Sequence, residues 1–193
     1  MRKLQQHDIK DLREYERERD AFRAEIISMK KKRRIALGDI ITVVFENTAT
    51  MRFQIQEMAR AERMLRDEQI AHEIETYNEL VPEDGELVGT LFIEITDADA
   101  LREWLPRLTR IQHHVAIEVA GEEVRAEEID LERLTREETI TTTVHYLRFR
   151  FTDAQRAAFA AGPVAIVIDH SEYDQRVELD EDQRAELLGD FAA

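Results

Sequence analysis

The chain has 193 residues, 42 acidic against 27 basic, a formal net charge of −15 and no cysteine. Disulfides, cysteine-held iron–sulfur clusters, thiolate nucleophiles and cysteine zinc sites are excluded. A main role on nucleic acid or an anionic membrane is disfavoured, because both repel an acidic surface; solubility or a basic partner suits it better.

A chain of this size buries roughly 70% of its unfolded surface and needs no covalent staple. No apolar run approaches the roughly 20 residues that span a bilayer. The opening MRKLQQHDIKDL has no apolar signal-peptide core. The expectation is a cytoplasmic protein.

Residues 8–34 read as helical. Ile9 and Leu12 begin an apolar stripe that Tyr15, Phe22, Ile26 and Met29 continue after a break. The segment ends in five cations, Lys30 to Arg34. Such a run can bind phosphate or an acidic partner; the plainer reading is a helix C-terminus whose dipole favours positive charge. Beyond Gly38, DIITVVF is rich in β-branched residues and reads as a buried strand. Asn47, Thr48 and Thr50 are candidate caps for the helical region at 50–80, which divides in two. In its first part Met51, Ile55, Met58 and Leu65 share a stripe with Glu62 near its centre. A carboxylate there must be paired, protonated or facing a polar cavity. The second helix starts near Asp67 and ends by Pro82 and Gly85.

Residues 87–95 read as a strand, followed by a helix carrying Trp104 that Pro106 ends or kinks. Val115 opens another strand, Ala120 and Gly121 a hairpin turn, and 129–135 a short helix or loop. In YLRFRFTDAQRAAFAAGPVAIVIDH, residues 146–170, Leu147, Phe149 and Phe151 alternate with arginines as on a strand. Thr152 and Gln155 have capping-box spacing, Gly162 and Pro163 stop the helix with a left-handed cap, and Val164 starts a buried strand. Asp180 and Gln183 cap a terminal helix.

This unit resembles an earlier one, either as an internal duplication or because Thr-Asp-Ala and Val-Ala-Ile are common cap and strand words that occur twice. TDADALREW answers TDAQRAAF, and VAIEVAG answers VAIVIDH. The expected architecture is α+β: one domain over residues 1–193, with a largely antiparallel sheet and helices packed on one face. It comprises a helical N-terminal segment (1–34), a strand and long broken helix (35–86), and repeated β-α-β-β-α units at 87–138 and 139–193.

Seven stretches together resemble an uncharacterised bacterial family, the domain of unknown function numbered three-five-zero-one. They are DI-x-x-L-x-E-Y (8–15), RRIALG (33–38), FEN (45–47), Q-x-Q-E-M-x-R-A-E-R (54–63), TYNEL-x-P (76–82), TLFIEI (90–95) and VHYLRF (144–149). Members look to be encoded near rubrerythrin-like and iron–sulfur oxidoreductase proteins. The resemblance thus implies a role beside a redox or peroxide-defence system, and it carries over no site residue.

Without cysteine, histidine is the natural metal ligand. Alternation places His145 on the buried face with Leu147, and His170 follows the Val164 strand. On neighbouring strands these two, with Glu62 or another carboxylate, would make a site for iron, manganese or zinc. The plainer reading is a hydrogen-bonded core histidine and a turn histidine. His113 and His114, as strand neighbours, would face opposite ways. A di-iron bundle, a hydrolase elbow and glycine-rich phosphate loops are absent. Gln54, Glu57 and Glu62 are candidates for docking a protein partner, while Gln56 and Arg60 fall on the solvated face, with Glu57 paired locally to Arg60.

The leading expectation is a non-catalytic accessory or binding subunit of an oxidoreductase system, with no cofactor of its own. A metalloprotein built on His145 and His170 is the alternative. A homodimer joined by a strand edge is a third possibility.

Overall fold

The structure, a computed structural model, describes residues 1–131 and 141–192. The first helix, α1 (Leu12–Arg33), runs unbroken; the Asp11 carboxylate caps it by accepting from the N–H groups of Arg13 and Glu14. The break expected in this region lies ahead of it, after a short 3₁₀ turn at Gln6–Asp8. A hairpin follows, β1 (Arg34–Leu37) and β2 (Ile41–Glu46). Gly38 turns it at φ +70, where a Cβ would strike the Tyr173 hydroxyl. Next come α2 (Thr48–Ala61), capped by Asn47, and α3 (Asp67–Asn78).

The remaining chain contains β3 (Glu86–Ile93), α4 (Ala98–Arg107), β4 (Val115–Val119), β5 (Glu122–Arg125) and β6 (Glu127–Glu128). Beyond residue 140 come β7 (Val144–Arg150), α5 (Asp153–Ala161), β8 (Val164–His170), β9 (Tyr173–Glu178) and α6 (Glu181–Leu188). Both expected capping boxes form, at Thr152 with Gln155 and at Asp180 with Gln183. The left-handed cap expected at Gly162 does not; its φ of −129 is extended backbone, and Pro163 alone stops α5. Of the helix or loop expected at 129–135, residues 132–135 lie outside the described residues.

The class is α+β and every strand pair is antiparallel, but the strands divide into two sheets. One has the order β1-β2-β3-β7-β6, the other β5-β4-β8-β9. In both similar stretches the helix crosses from one sheet to the other. The matching strands then pair with each other: β3 with β7, where Gly89 faces Leu147, and β4 with β8, where Ile117 faces Ile166. Gly89 also lets β2 and β3 approach closely; a Cβ there would lie 2.9 Å from Val43 Cγ1.

The two sheets pack face to face over one apolar core. Val43, Phe45, Leu91 and Phe149 of the first sheet meet Val115, Ile117, Ile166 and Ile168 of the second. Phe151, Phe159 and Phe191 form an edge-to-face cluster that closes the core beside α5 and α6. Trp104 of α4 is half-buried and packs edge-on against Tyr173. A second apolar cluster, including Met51, Ile55, Ile74 and Leu80 with Val88 of β3, seats α2 and α3 on the outer face of the first sheet. That sheet is covered on both sides, so β2 is buried throughout. Among the described residues no helix is long and apolar enough to cross a membrane.

The run of five cations divides by environment. Arg33 is fully buried: its guanidinium donates to the Phe45 carbonyl (2.9 Å), the Glu46 carbonyl (3.1 Å), Glu186 (3.2 Å) and Asp190 (3.1 Å). It joins the end of α1, strand β2 and the C-terminal turn, which a dipole argument alone would not reveal.

Candidate functional site

The polar residues expected to dock a partner sit on α2, where it packs on α1. The geometry redistributes them. Glu57 accepts two hydrogen bonds from Arg19 of α1, both 2.8 Å, and one from the buried Tyr15 hydroxyl at 2.7 Å. The Arg19 guanidinium holds the Glu57 carboxyl below the usual glutamate range, against the opposing effect of partial burial. Burial, reinforced by Glu57, pushes the Tyr15 hydroxyl up. Arg60 pairs with Glu16 of α1 at 2.7 Å. These are pairs between helices, where the sequence suggested a local Glu57–Arg60 pair.

Gln56, expected on the solvated face, is buried. Its amide grips the backbone of Lys10, accepting from the N–H at 2.7 Å and donating to the carbonyl at 3.2 Å. The side chain of Asn78 clamps Leu4 in the same way, at 2.8 and 3.0 Å. Two side-chain amides thus fasten the N-terminal segment across the helical layer as a strap. Glu62, expected at the centre of a buried stripe, is exposed. The reason is that α2 ends at Ala61 and Arg63 adopts φ +52, so the stripe stops before reaching Glu62 and Leu65. Gln54 is half-buried on α2.

Between α1 and α2, beside the strap, lies a groove of about 350 Å³. Tyr15 and Gln56 line its end near the strap. Its apolar wall is Phe22, which packs edge-on against Phe53 with centroids 5.6 Å apart, and Arg52 stacks over the same ring at 4.4 Å. Arg17 and Arg52 line the groove without a carboxylate in ion-pair distance among the described residues, whereas Lys10 pairs with Glu14 and Glu18. Asp8, Glu18 and Glu25 also line it, so the groove carries both signs of charge along its length. Of Gln54, Glu57 and Glu62, none lines this groove. Phe22 and Arg52 were the missed residues; the spacing of Tyr15, Arg19 and Phe22 on one face of α1, facing Glu57 and Phe53, was the available signal.

The histidine set does not assemble. His145 lies on β7 in one sheet and His170 on β8 in the other, because α5 carries the chain between sheets. The buried His145 shares a 2.7 Å hydrogen bond between Nε2 and Thr141 Oγ1. Its Nδ1 is 3.5 Å from Glu128 Oε1, outside hydrogen-bonding geometry, and has no hydrogen-bond partner among the described residues. Burial lowers the ring's pKa, with Glu128 opposing. His170 uses both nitrogens: Nε2 donates to the Thr109 carbonyl (3.2 Å) and Nδ1 accepts from the Glu172 N–H (3.2 Å). His113 and His114 occupy a 3₁₀ turn (Ile111–His114), not the expected strand. The His114 ring stacks edge-on against His170, and its Nδ1 lies 3.1 Å from Asp169. Among the described residues no group of three His, Asp or Glu is placed to hold a metal ion. Glu62, at the end of α2, has no part in either histidine's surroundings.

The comparisons with known proteins agree with this description over nearly the whole length. A crystal structure described as a novel protein of unknown function from Burkholderia pseudomallei K96243 superposes with a TM-score of 0.90. It is 34% identical, over 98% of this chain and 99% of that one. No curated protein matches. The family described as "Protein of unknown function (DUF3501)" matches residues 3–191, and the chain belongs to that family.

Proposed function

We propose that this protein is a binding subunit without a catalytic centre of its own, and that the α1–α2 groove receives a carboxylate-bearing apolar segment of a protein partner. One observation carries this reading: Arg17 and Arg52 face a groove walled by Phe22 and have no carboxylate in ion-pair distance among the described residues. The neighbouring cations are already engaged, Arg19 by Glu57 and Arg60 by Glu16. An incoming carboxylate would gain charge-assisted hydrogen bonds from Arg17 and Arg52 while its apolar stem packs beside Phe22. The family resemblance adds the setting. Similar proteins look to be encoded near rubrerythrin-like and iron–sulfur oxidoreductase proteins, which makes the partner a component of a cytoplasmic redox or peroxide-defence system.

A carboxylate probe tests the groove without the partner. Titration of 3-phenylpropionate to about 10 mM, followed by amide NMR, should shift residues around Phe22 and Arg52, with a dissociation constant of order 1 mM. Arg52→Glu should abolish those shifts. Shifts confined to another surface, or retained in Arg52→Glu, would overturn the assignment.

A further inference from the structure

The turn joining α2 to α3 is capped in a pattern usually built on glycine. Arg63 sits at φ +52, its N–H donates to the Arg60 carbonyl at 3.4 Å, and the Met64 N–H donates to the Ala59 carbonyl at 2.9 Å. This geometry turns Met64 inward, 6% exposed, and sends Leu65 outward, 82% exposed. The other exposed large hydrophobic residue among the described residues, Ile27, reaches only 45%.

Beside Leu65 is a hollow of about 190 Å³, walled by Ile9, Leu12, Met64 and Ile70. Small-molecule sites run roughly 300–1,000 Å³, so this one is too small for a typical ligand. An engineered leucine-sized cavity in another protein measures about 150 Å³, so the hollow suits a single leucine side chain. A knob and a matching hole on one patch meet the requirement of a two-fold axis, on which each copy presents the same surface to the other.

Charge favours the same occupant. Copies carrying −15 repel each other over most of their surface. This turn is an exception. Arg63 and Arg66 flank Leu65 with no carboxylate in ion-pair distance among the described residues, and Asp11 and Asp67 line the hollow with one cation, Lys10, which already pairs with Glu14 and Glu18. Opposite charges therefore meet when two such patches face each other.

We infer that the α2–α3 turn is a self-docking surface: Leu65 of each copy enters the hollow of the other, and Arg63 and Arg66 face Asp11 and Asp67 across the axis. Lys10 lines both this hollow and the α1–α2 groove, but self-docking does not require that the groove bind anything. The contact is small, below the roughly 1,200 Å² of a stable interface, so association is reversible, with a dissociation constant of roughly 10–500 µM.

Sedimentation equilibrium of the untagged chain over about 5–500 µM tests this. The mean mass should rise from 22.6 kDa toward twice that value. Leu65→Asp should remain at the monomer mass with an unchanged circular dichroism spectrum, and Arg66→Glu should weaken association at least about fivefold. A wild-type chain monomeric throughout, or a Leu65→Asp chain that associates as strongly as wild type, would overturn the proposal. So would binding of a different protein at Leu65 by a chain that stays monomeric.

Discussion

Replacing Arg33 with methionine removes the hub between α1, β2 and the C-terminal turn while keeping an apolar stem in place. The arginine is 0% exposed. Its loss withdraws donors from the buried Phe45 and Glu46 carbonyls and leaves Asp190, 3% exposed, without its cation. Each carbonyl costs about 1 kcal/mol, and the stranded carboxylate raises the total to about 3–5 kcal/mol at pH 7. Burial already outweighs Arg33 in holding the Asp190 carboxyl above its ordinary value. Without Arg33 the carboxyl titrates higher still. The penalty of an ionised Asp190 is then full above the folded pKa and fades as pH falls toward the unfolded value near 3.9. Urea unfolding of wild type and Arg33→Met at pH 7 and pH 5 should therefore show a larger difference at pH 7. Asp190→Leu added to Arg33→Met should recover about 1–3 kcal/mol. A single-variant cost below about 1 kcal/mol, or one that grows on acidification, would refute this reasoning.

Three further outcomes follow from individual contacts. Tyr173 donates to the Leu37 carbonyl at 2.5 Å and joins β9 to β1, so Tyr173→Phe should cost about 1–2 kcal/mol, or roughly 2–6 °C in melting temperature. Arg63→Gly relieves the positive φ and should raise the melting temperature by about 1–3 °C; a decrease would show that the turn is not strained. Because burial lowers the His145 pKa, the unfolded chain binds the proton more tightly than the folded one. Stability therefore falls as pH drops below about 6.5, and His145→Gln should flatten that fall between pH 7 and pH 5 in denaturant titrations.

The elements were legible where local chemistry decides them. The capping pairs at Thr152 and Asp180, the β-branched run in β2 and the alternation around Leu147 all specify structure within a few residues. What was not legible depends on partners far along the chain. Gln56 reads as a solvated glutamine until Lys10, 46 residues away in sequence, presents its backbone. Arg33 reads as one of five cations until Asp190 arrives. The separation of the two histidines has a topological reason: alternation put His145 on a buried face, but only strand order could reveal that β7 and β8 lie in different sheets. Gln54, Glu57 and Glu62, the docking candidates read from the sequence, lie outside the α1–α2 groove, which is shaped by α1, whose register against α2 no local pattern specifies.

We propose that the α1–α2 groove binds a protein partner. The most direct measurement is photocrosslinking in the native host, with benzoylphenylalanine replacing Phe22 in the chain. The account predicts one dominant adduct with a component of an oxidoreductase system, lost when Arg52→Glu is added and absent when the same group replaces Glu178 on β9. No adduct from position 22, or the same adducts from both positions, would contradict it.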